Sequence, residues 1–264
     1  MTDSAKKFLE GYPRYVRTGF IPFDPLELAT QTEQIVCDGD RRKYTKFSCP
    51  RMYGGIATGY ACGCCLRCIF CWVHWSRDFP EKHGSFKSPD EVFNEISRMA
   101  RRKRVDQLRI SGAEPTLGKS HLLGLLELVE RSSFRLFILE TNGILLGADP
   151  EYARQIARFS KVHTRVALKA GTPDAFTRKT GAKPEFFELP FQAIQNLMKA
   201  GASCHVAAMS ADPRFMPKEE RKSLFARLKA IHPALVKNLE EEIVTPYPAA
   251  RERLRHAGVQ VDWE

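Results

Sequence analysis

Short apolar segments alternate along the chain with segments in which apolar residues recur at helical spacing. The first pattern predicts buried strands and the second predicts amphipathic helices. From Arg51 onward the alternation repeats six times. The predicted strands lie at 52–61, 105–110, 134–140, 162–168, 204–209 and 239–244, and the predicted helices at 88–102, 119–132, 149–159, 189–199, 218–231 and 249–256.

Capping residues support several of these helix ends. Ser88 precedes Pro89, and Glu91 stands where a capping box places its acidic residue. Gly201 and Gly258 follow the ends of two predicted helices, where glycine commonly terminates a helix. These signals indicate the helix ends independently of the apolar pattern.

Strands and helices that alternate in this way predict an α/β fold with a parallel sheet and crossover helices. Eight units would close a barrel, so six predict a partly open (β/α)6 TIM-like barrel over 51–264. Residues 1–50 lie outside the alternation and are predicted to form an N-terminal extension or cap. A flat doubly wound sheet is the weaker alternative, because no glycine-rich phosphate loop follows the first strand.

Composition places the chain among ordinary globular proteins, with 43% hydrophobic and 27% charged residues in 264 positions. No apolar run approaches the ~20 residues of a membrane span, and residues 1–8 lack the apolar core of a secretion signal. We therefore expect a cytoplasmic protein without membrane association. In that reducing compartment, eight cysteines indicate metal or redox chemistry rather than disulfides.

The net charge of +10 allows a polyanionic partner such as RNA, or an acidic protein surface. The basic residues form short runs at 41–43, 101–104 and 178–179. A solvated surface is the favoured alternative, and the run at 101–104 also suits the negative end of a helix. No RNA-binding fingerprint accompanies these runs.

Five of the eight cysteines lie within the run from Cys62 to Cys71. Inside it, Cys64-x3-Cys68-x2-Cys71 follows the first predicted strand, at the end of the sheet where β/α folds usually carry their catalytic residues. Three thiolates on one short loop can hold three irons of a [4Fe–4S] cluster and leave the fourth iron without a protein ligand. An open iron is a place to bind another molecule.

Zinc is the competing interpretation of the same run. It takes four ligands, typically as two pairs that are separated in sequence. Candidate additional ligands are Cys62, Cys65 and His74, and Cys65 also begins an alternative C-x2-C-x2-C spacing. The remaining cysteines are Cys37, Cys49 and Cys204, and they form no C-x2-C pair. Iron–sulfur chemistry is therefore favoured.

The cysteine spacing, with Phe70 directly before Cys71, resembles the signature of the radical S-adenosylmethionine (radical SAM) enzymes. The resemblance implies that Cys64, Cys68 and Cys71 hold the [4Fe–4S] cluster. It also implies that SAM chelates the open iron through its amino and carboxylate groups. A partial barrel of the predicted kind is the architecture of this family.

A second segment, Ser111-Gly112-Ala113-Glu114-Pro115, follows the second predicted strand. It resembles the Gly-Gly-Glu-Pro segment with which the family grips the methionyl amino group, and Ala113 replaces the second glycine. Glu114 is a suitable acceptor for an ammonium group, and Gly112 lets the backbone approach closely. An ordinary strand-to-helix turn is the alternative.

A third segment, Glu140-Thr141-Asn142-Gly143, follows the third predicted strand and resembles the Asp/Glu-Thr-Asn-Gly segment of the activase branch. Its carboxylate and short polar side chains can hydrogen-bond ribose hydroxyls or the methionine moiety. Asn-Gly is also a common turn pair, so this segment alone has low specificity.

The fourth predicted strand ends in Ala167-Leu168-Lys169, which resembles the Asp-Leu-Lys strand end of the activases. Lys169 is expected to pair with a carboxylate of the cofactor or substrate, with a surface lysine as the alternative. Pyruvate formate-lyase activating enzyme and its relatives have an acid at the position of Ala167, which helps to bind a cation. Its loss argues against glycyl-radical activation.

Other residues near these segments have open roles. Trp72 either shields the cluster, stacks on adenine or packs in the core, and His74 is a proton donor, a ligand or a satisfied polar residue. On the fifth predicted strand, His205 and Met209 line the substrate cavity or pack in the core. The expected cofactor-binding residues are Phe70, Trp72, Gly112, Ala113, Glu114, Pro115, Glu140, Thr141, Asn142 and Lys169.

The resemblance implies an oxidoreductase or transferase that cleaves SAM reductively to a 5′-deoxyadenosyl radical, which abstracts hydrogen from a substrate. An electron donor such as a ferredoxin or flavodoxin is expected. The substrate is a protein or peptide, as the activase-like segments suggest, or a nucleotide, RNA or other anionic molecule, as the charge suggests. A non-enzymatic electron carrier and a zinc-stabilised binding module are the rivals.

Overall fold

Nine strands form one sheet in the computed structural model, which describes residues 9–263. The expectation of no secretion signal rests on residues 1–8, which lie outside the described residues. The strands are β1 (Cys37–Asp38), β2 (Arg41–Ser48), β3 (Ala57–Ala61), β4 (Ser85–Lys87), β5 (Gln107–Ser111), β6 (Leu136–Thr141), β7 (Val162–Leu168), β8 (Ser203–Ala208) and β9 (Glu240–Glu241). The helices are α1 (Pro25–Val36), α2 (Pro89–Lys103), α3 (Lys119–Arg131), α4 (Ile144–Ala148), α5 (Pro150–Ala157), α6 (Pro173–Thr180), α7 (Leu189–Lys199), α8 (Lys218–Ile231), α9 (Pro233–Lys237) and α10 (Pro248–His256).

Six of the strands run parallel, in the spatial order β3–β5–β6–β7–β8–β9. One edge of the whole sheet is β1 and the other is β9, and within residues 9–263 no pairing joins the two edges. The predicted α/β fold, with six parallel strands in a sheet that is not closed, is therefore confirmed.

The register of the parallel strands places polar side chains on one face of the sheet. Arg165 of β7 lies opposite Glu140 of β6 and His205 of β8. Residues that are opposite one another in neighbouring strands project from the same face. Helices α2 and α7 pack against the sheet, where Ile96 and Ile194 are buried in the core.

Residues 9–50 add helix α1 and antiparallel strands to one edge of the parallel sheet. Strand β2 pairs antiparallel with β1, β3 and β4. Val16, Ala29 and Tyr44 from this region are buried in the same core as the later elements. The division of the chain into an extension at 1–50 and a barrel at 51–264 stays a prediction.

The largest error in the predicted elements is at the first parallel strand, which begins at Ala57 rather than at Met52. Residues Met52–Gly54 form a 3-10 turn in which Tyr53 has φ 51° and Gly54 has φ 79°. A strand requires negative φ, so these residues cannot extend it. The last strand is also shorter than predicted. Helices α1, α4, α6 and α9 and strands β1, β2 and β4 were not predicted.

Several helix and strand ends agree with their sequence signals. The bounds of β7, α7 and α8 are those predicted. At the start of α2, Ser88 Oγ accepts from the amide of Glu91, and the amide of Ser88 donates to Glu91 Oε2 at 2.7 Å. The capping box is therefore confirmed. None of the helices in the described part of the chain is long and apolar enough to cross a bilayer.

Candidate functional site

A cavity of about 780 Å³, including its open mouth, lies where the cysteine loop after β3 meets the carboxyl ends of β5, β6 and β7. Parallel topology brings these strand ends together, as predicted from the order of the motifs. Pro115 is buried and does not line the cavity. The predicted site residues that line it are Cys64, Cys68, Phe70, Cys71, Trp72, Gly112, Ala113, Glu114, Glu140, Thr141, Asn142 and Lys169.

The cysteine run divides into two groups by the direction of its side chains. Cys64, Cys68 and Cys71 line the cavity. Cys65 is 0% exposed, and Asn142 Nδ2 donates to its sulfur at 3.3 Å. Cys62 is also buried, and its thiol donates to the carbonyl of His83 at 3.7 Å. The motif spacing and the cavity therefore select the same three cysteines.

These thiols differ in how readily they ionise. A hydrogen bond from Cys65 lowers the pKa of Cys64 to about 7, although burial opposes it. Burial raises the pKa of Cys68 to about 12, although the charges of Lys169 and Arg77 oppose it. Because the thiolate is the metal ligand, metal binding at Cys68 requires the release of its proton.

The donor groups around the cavity are compatible with a cluster. Within residues 9–263, no three His, Cys, Asp or Glu side chains converge so as to hold one ion. Thiolates that bind different irons of a [4Fe–4S] cluster need not converge on one point. Cys64, Cys68 and Cys71 around a shared cavity therefore fit a cluster with one open iron.

Glu114 connects the ends of β5 and β6. Its side chain is 1% exposed, and its Oε1 accepts from the hydroxyls of Thr116 and Thr141, each at 2.7 Å. Its Oε2 accepts from the amide of Asn142 at 2.8 Å. The carboxylate thus fixes the third motif relative to the second. Its contact with the methionyl ammonium stays a prediction.

The backbone conformation at position 112 explains why the second motif has a glycine there. Its φ is 93°, a region that other residues rarely adopt. A Cβ at this position would lie 3.2 Å from the side chain of Tyr60. Any other residue at 112 would strain the backbone and crowd the side chain of Tyr60.

Trp72 and His74, whose roles the sequence leaves open, lie in different places. Trp72 lines the cavity, is 46% exposed and meets the ring of Tyr60 edge to face at 6.5 Å, so it is not a core residue. His74 is exposed and does not line the cavity, and its ring lies 4.7 Å from the ring of Trp75.

Paired charges cover the polar face of the strands beneath the cavity. We call Arg109, Glu140, Arg165, Glu240 and Glu242 the barrel floor. Arg109 donates to Glu140 at 2.9 Å. Arg165 donates to Glu240 at 2.9 and 3.0 Å and to Glu242 at 2.7 Å. Glu140, Arg165 and Glu242 line the cavity itself.

These contacts change the ionisation of the barrel floor. Hydrogen bonds from His205 and then Arg165 lower the pKa of Glu240 to about 2, against the effect of burial. Burial alone would lower the pKa of Arg165, but the hydrogen bond to Glu240 and the charges of the surrounding carboxylates raise it. Both groups are therefore charged at neutral pH.

Sequence reasoning missed Arg77, Arg165 and Glu242, which line the cavity. A signal for Arg165 was present, because Arg165, Ala167 and Lys169 alternate along β7 and its end. Residues two apart in a strand share a face, so the expected position of Lys169 at the site also implied a position there for Arg165. Glu242 follows a strand of two residues and had no such periodic signal.

Comparison with known proteins decides the family. The sequence profile of the Radical SAM superfamily matches residues 60–211, which include all three cavity cysteines and the following strand ends. The chain belongs to the radical SAM superfamily. Enzymes of this superfamily use a [4Fe–4S] cluster and SAM, and the predicted cofactors of this radical SAM protein are therefore confirmed.

Solved structures with the same fold are distant in sequence. SuiB of Streptococcus suis matches with a TM-score of 0.51 and 18% identity over 70% of this chain and 39% of SuiB. The enzyme anSMEcpe with bound AdoMet matches at 0.50 and 18% over 70% of this chain and 53% of that one. A cysteine-to-alanine mutant of spore photoproduct lyase matches at 0.51 and 11% over 77% and 61%.

These similarities show the fold of the radical SAM domain. The chain spans less than two thirds of the length of each of these three proteins. No curated protein matches the chain. Its reaction and substrate must therefore be argued from its own residues.

Proposed function

We propose that this chain is a radical SAM enzyme in which Cys64, Cys68 and Cys71 hold the cluster. SAM lies between the cysteine loop and the ends of β5, β6 and β7. The supporting observation is that one cavity is lined by these three cysteines, by Gly112 and by Lys169, while Cys62 and Cys65 face elsewhere. A zinc module or an electron carrier would not need this combination.

When bound, the cluster and SAM supply a 5′-deoxyadenosyl radical that abstracts hydrogen from the substrate. The chain positions the reactants and excludes water. Leu66, Phe70, Val73 and Met209 form apolar parts of the wall. Lys169 stands close enough to Cys68 to lower its thiol pKa, and it supplies the positive charge for a cofactor carboxylate.

The charge of the barrel floor favours a protein or peptide substrate over an anionic one. Its three carboxylates exceed its two guanidinium groups by one negative charge. Glu140 and Glu242 face the cavity and are suited to amide or ammonium donors. A phosphate next to Glu140 and Glu242 would meet two carboxylates and the one guanidinium group of Arg165.

The basic runs give less support to an RNA substrate than their sequence implied. Arg42 is buried, and Lys179 is buried and paired with Glu220. Residues 101–103 lie in the last turn of α2, where positive charge complements the helix dipole. Structural roles therefore account for much of the charge in these runs.

Cofactor cleavage tests the enzyme assignment. Anaerobically reconstituted protein, reduced by flavodoxin and given SAM, should form 5′-deoxyadenosine. Alanine at Cys64, Cys68 or Cys71 should abolish the product, whereas Cys65→Ala and the distant Cys204→Ala should retain it. Loss in Cys65→Ala together with activity in Cys64→Ala would overturn the ligand assignment.

Isotope transfer tests the substrate class even before the individual substrate is identified. Cells grown in deuterated medium are separated into a protein and peptide fraction and a nucleic-acid and nucleotide fraction. Each fraction is incubated with the loaded enzyme, and 5′-deoxyadenosine is analysed by mass spectrometry. Deuterium should come from the protein and peptide fraction. Deuterium from the other fraction alone would establish the anionic alternative.

A further inference from the structure

Four arginines are among the largest fully buried side chains of the described chain, and all four contact the loops of the candidate site. They are Arg42, Arg67, Arg77 and Arg253, each at most 2% exposed. Arginine is seldom fully buried unless its guanidinium group is paired. Their common location therefore requires an explanation.

Three of the four donate to the backbone carbonyls of the proposed cluster ligands. Arg67 Nη1 donates to the carbonyl of Cys64 at 2.7 Å. Arg77 Nη1 donates to the carbonyl of Cys68 at 2.7 Å. The carbonyl of Cys71 accepts from Nη1 of Arg253 at 2.5 Å. Each ligand position thus has its own guanidinium group.

These contacts tie the cysteine loop to distant parts of the chain. Arg253 belongs to α10 and also donates to the carbonyl of Val73 at 2.6 Å. Arg67 Nε donates to the carbonyl of Pro13. Arg42 of β2 donates to the carbonyl of Glu114 at 3.2 Å, so it holds the second motif in the same way.

The positive charges of these groups are mostly not neutralised. Among residues 9–263, Asp78 is the one carboxylate that forms ion pairs with these four arginines, and it is shared by Arg77 and Arg253. Arg42 Nη1 and Arg67 Nη2 are buried and have no hydrogen-bond partner among the described residues. The four guanidinium groups outnumber the carboxylates of Asp78 and Glu114 by two.

An excess of buried positive charge is costly unless a negative group faces it. A [4Fe–4S] cluster on three thiolates is an anion, and its one-electron reduction adds another negative charge. Hydrogen bonding and net charge around such a cluster are known to set its reduction potential. The loop therefore carries a charge that complements the cluster and favours its reduced state.

We propose that Arg67, Arg77 and Arg253 form an arginine collar that holds the cysteine loop in its binding conformation and raises the reduction potential of the cluster. The proposal rests on the proposed function, because it requires the cluster at Cys64, Cys68 and Cys71. The collar residues are positioning residues, since they act through the backbone and charge of the loop.

The reduction potential tests the electrostatic part. Arg67→Gln retains hydrogen-bond donors but removes the charge, and Arg67→Lys retains the charge. In spectroelectrochemical titrations of reconstituted protein, Arg67→Gln should bind iron but show an at least tenfold lower ratio of reduced to oxidised cluster at a fixed potential. That change equals about 59 mV for a one-electron couple. Arg67→Lys should restore most of the lost reduction potential.

Arg131→Gln is the matched control, because it removes the same charge from an exposed helix position. If the wild type binds no iron, the proposed function fails. If the wild type binds iron and Arg67→Gln has the same potential as Arg131→Gln, the electrostatic role of the collar fails alone.

Hydrogen exchange of the metal-free wild type tests the positional part without any substitution. The amides of Arg67 and Ile69 donate to the carbonyls of Thr180 and Lys179, so they report on the loop. They should exchange as slowly as those of β3 before any cluster is bound. Rapid exchange of these amides beside a protected β3 would overturn the positional role.

Discussion

Buried arginines serve two regions of this molecule in different ways. In the barrel floor, Arg109 and Arg165 donate to three carboxylates, Glu140, Glu240 and Glu242. In the arginine collar the guanidinium groups donate mainly to backbone carbonyls, and one carboxylate, Asp78, pairs with two of them. The floor has an excess of negative charge and the collar an excess of positive charge.

The two regions differ in whether their positive charge is balanced by the protein itself. Carboxylates satisfy the guanidinium groups of the floor and leave none of their positive charge unbalanced. Carbonyl oxygens satisfy hydrogen bonds of the collar but leave its charge unbalanced. An anionic cofactor in the cysteine loop would therefore balance the positive charge of the collar.

The largest expected effect comes from removing the one carboxylate of the collar. Asp78→Ala leaves Arg77 and Arg253 buried together, and breaking a buried pair in this way costs about 3 to 5 kcal/mol. The free energy of unfolding from urea denaturation of the metal-free protein measures this loss. Asp106→Ala, which breaks the exposed pair with Arg135, should cost about 0 to 1 kcal/mol. Equal losses would remove the distinction between the collar and the surface.

A smaller loss of unfolding free energy is expected when the barrel floor loses a guanidinium group. Arg165→Met leaves Glu240 and Glu242 without their main donor, which costs about 1 to 3 kcal/mol. The cost is lower than for Asp78 because both carboxylates are partly exposed and water can solvate them. Arg165→Lys, in the same urea assay, should recover part of it. A loss larger than that of Asp78→Ala would reverse the ranking of the two regions.

The smallest expected effect is the contribution of the barrel floor to the loss of protein stability in acid. The pKa of Glu240 is about 2 in the folded protein, below the value of about 4.3 in an unfolded chain. Its contribution to stability is therefore present above about pH 4.3 and is lost as the pH falls through about 2. Melting temperatures between pH 5 and pH 2 should fall less steeply in Glu240→Gln than in the wild type. Parallel curves would show that Glu240 is not held in its charged form.

Signals between residues that are close along the chain predicted much of the fold and the cofactor motifs. Strand β7 and helices α7 and α8 have the predicted bounds, because apolar spacing and capping residues act over a few positions. The spacing of Cys64, Cys68 and Cys71 is also local, and the parallel order of the strands carries the later motifs to the same cavity.

Contacts between distant residues set the rest of the site. Arg253 meets the carbonyl of Cys71 across 182 positions, and Arg165 meets Glu240 across 75. No spacing rule predicts such a pair, because a long guanidinium side chain finds its acceptor only after helices and strands have packed. Local sequence thus predicted the proposed cluster ligands and the parallel sheet. Packing decided which charges lie around the cysteine loop and which line the cavity.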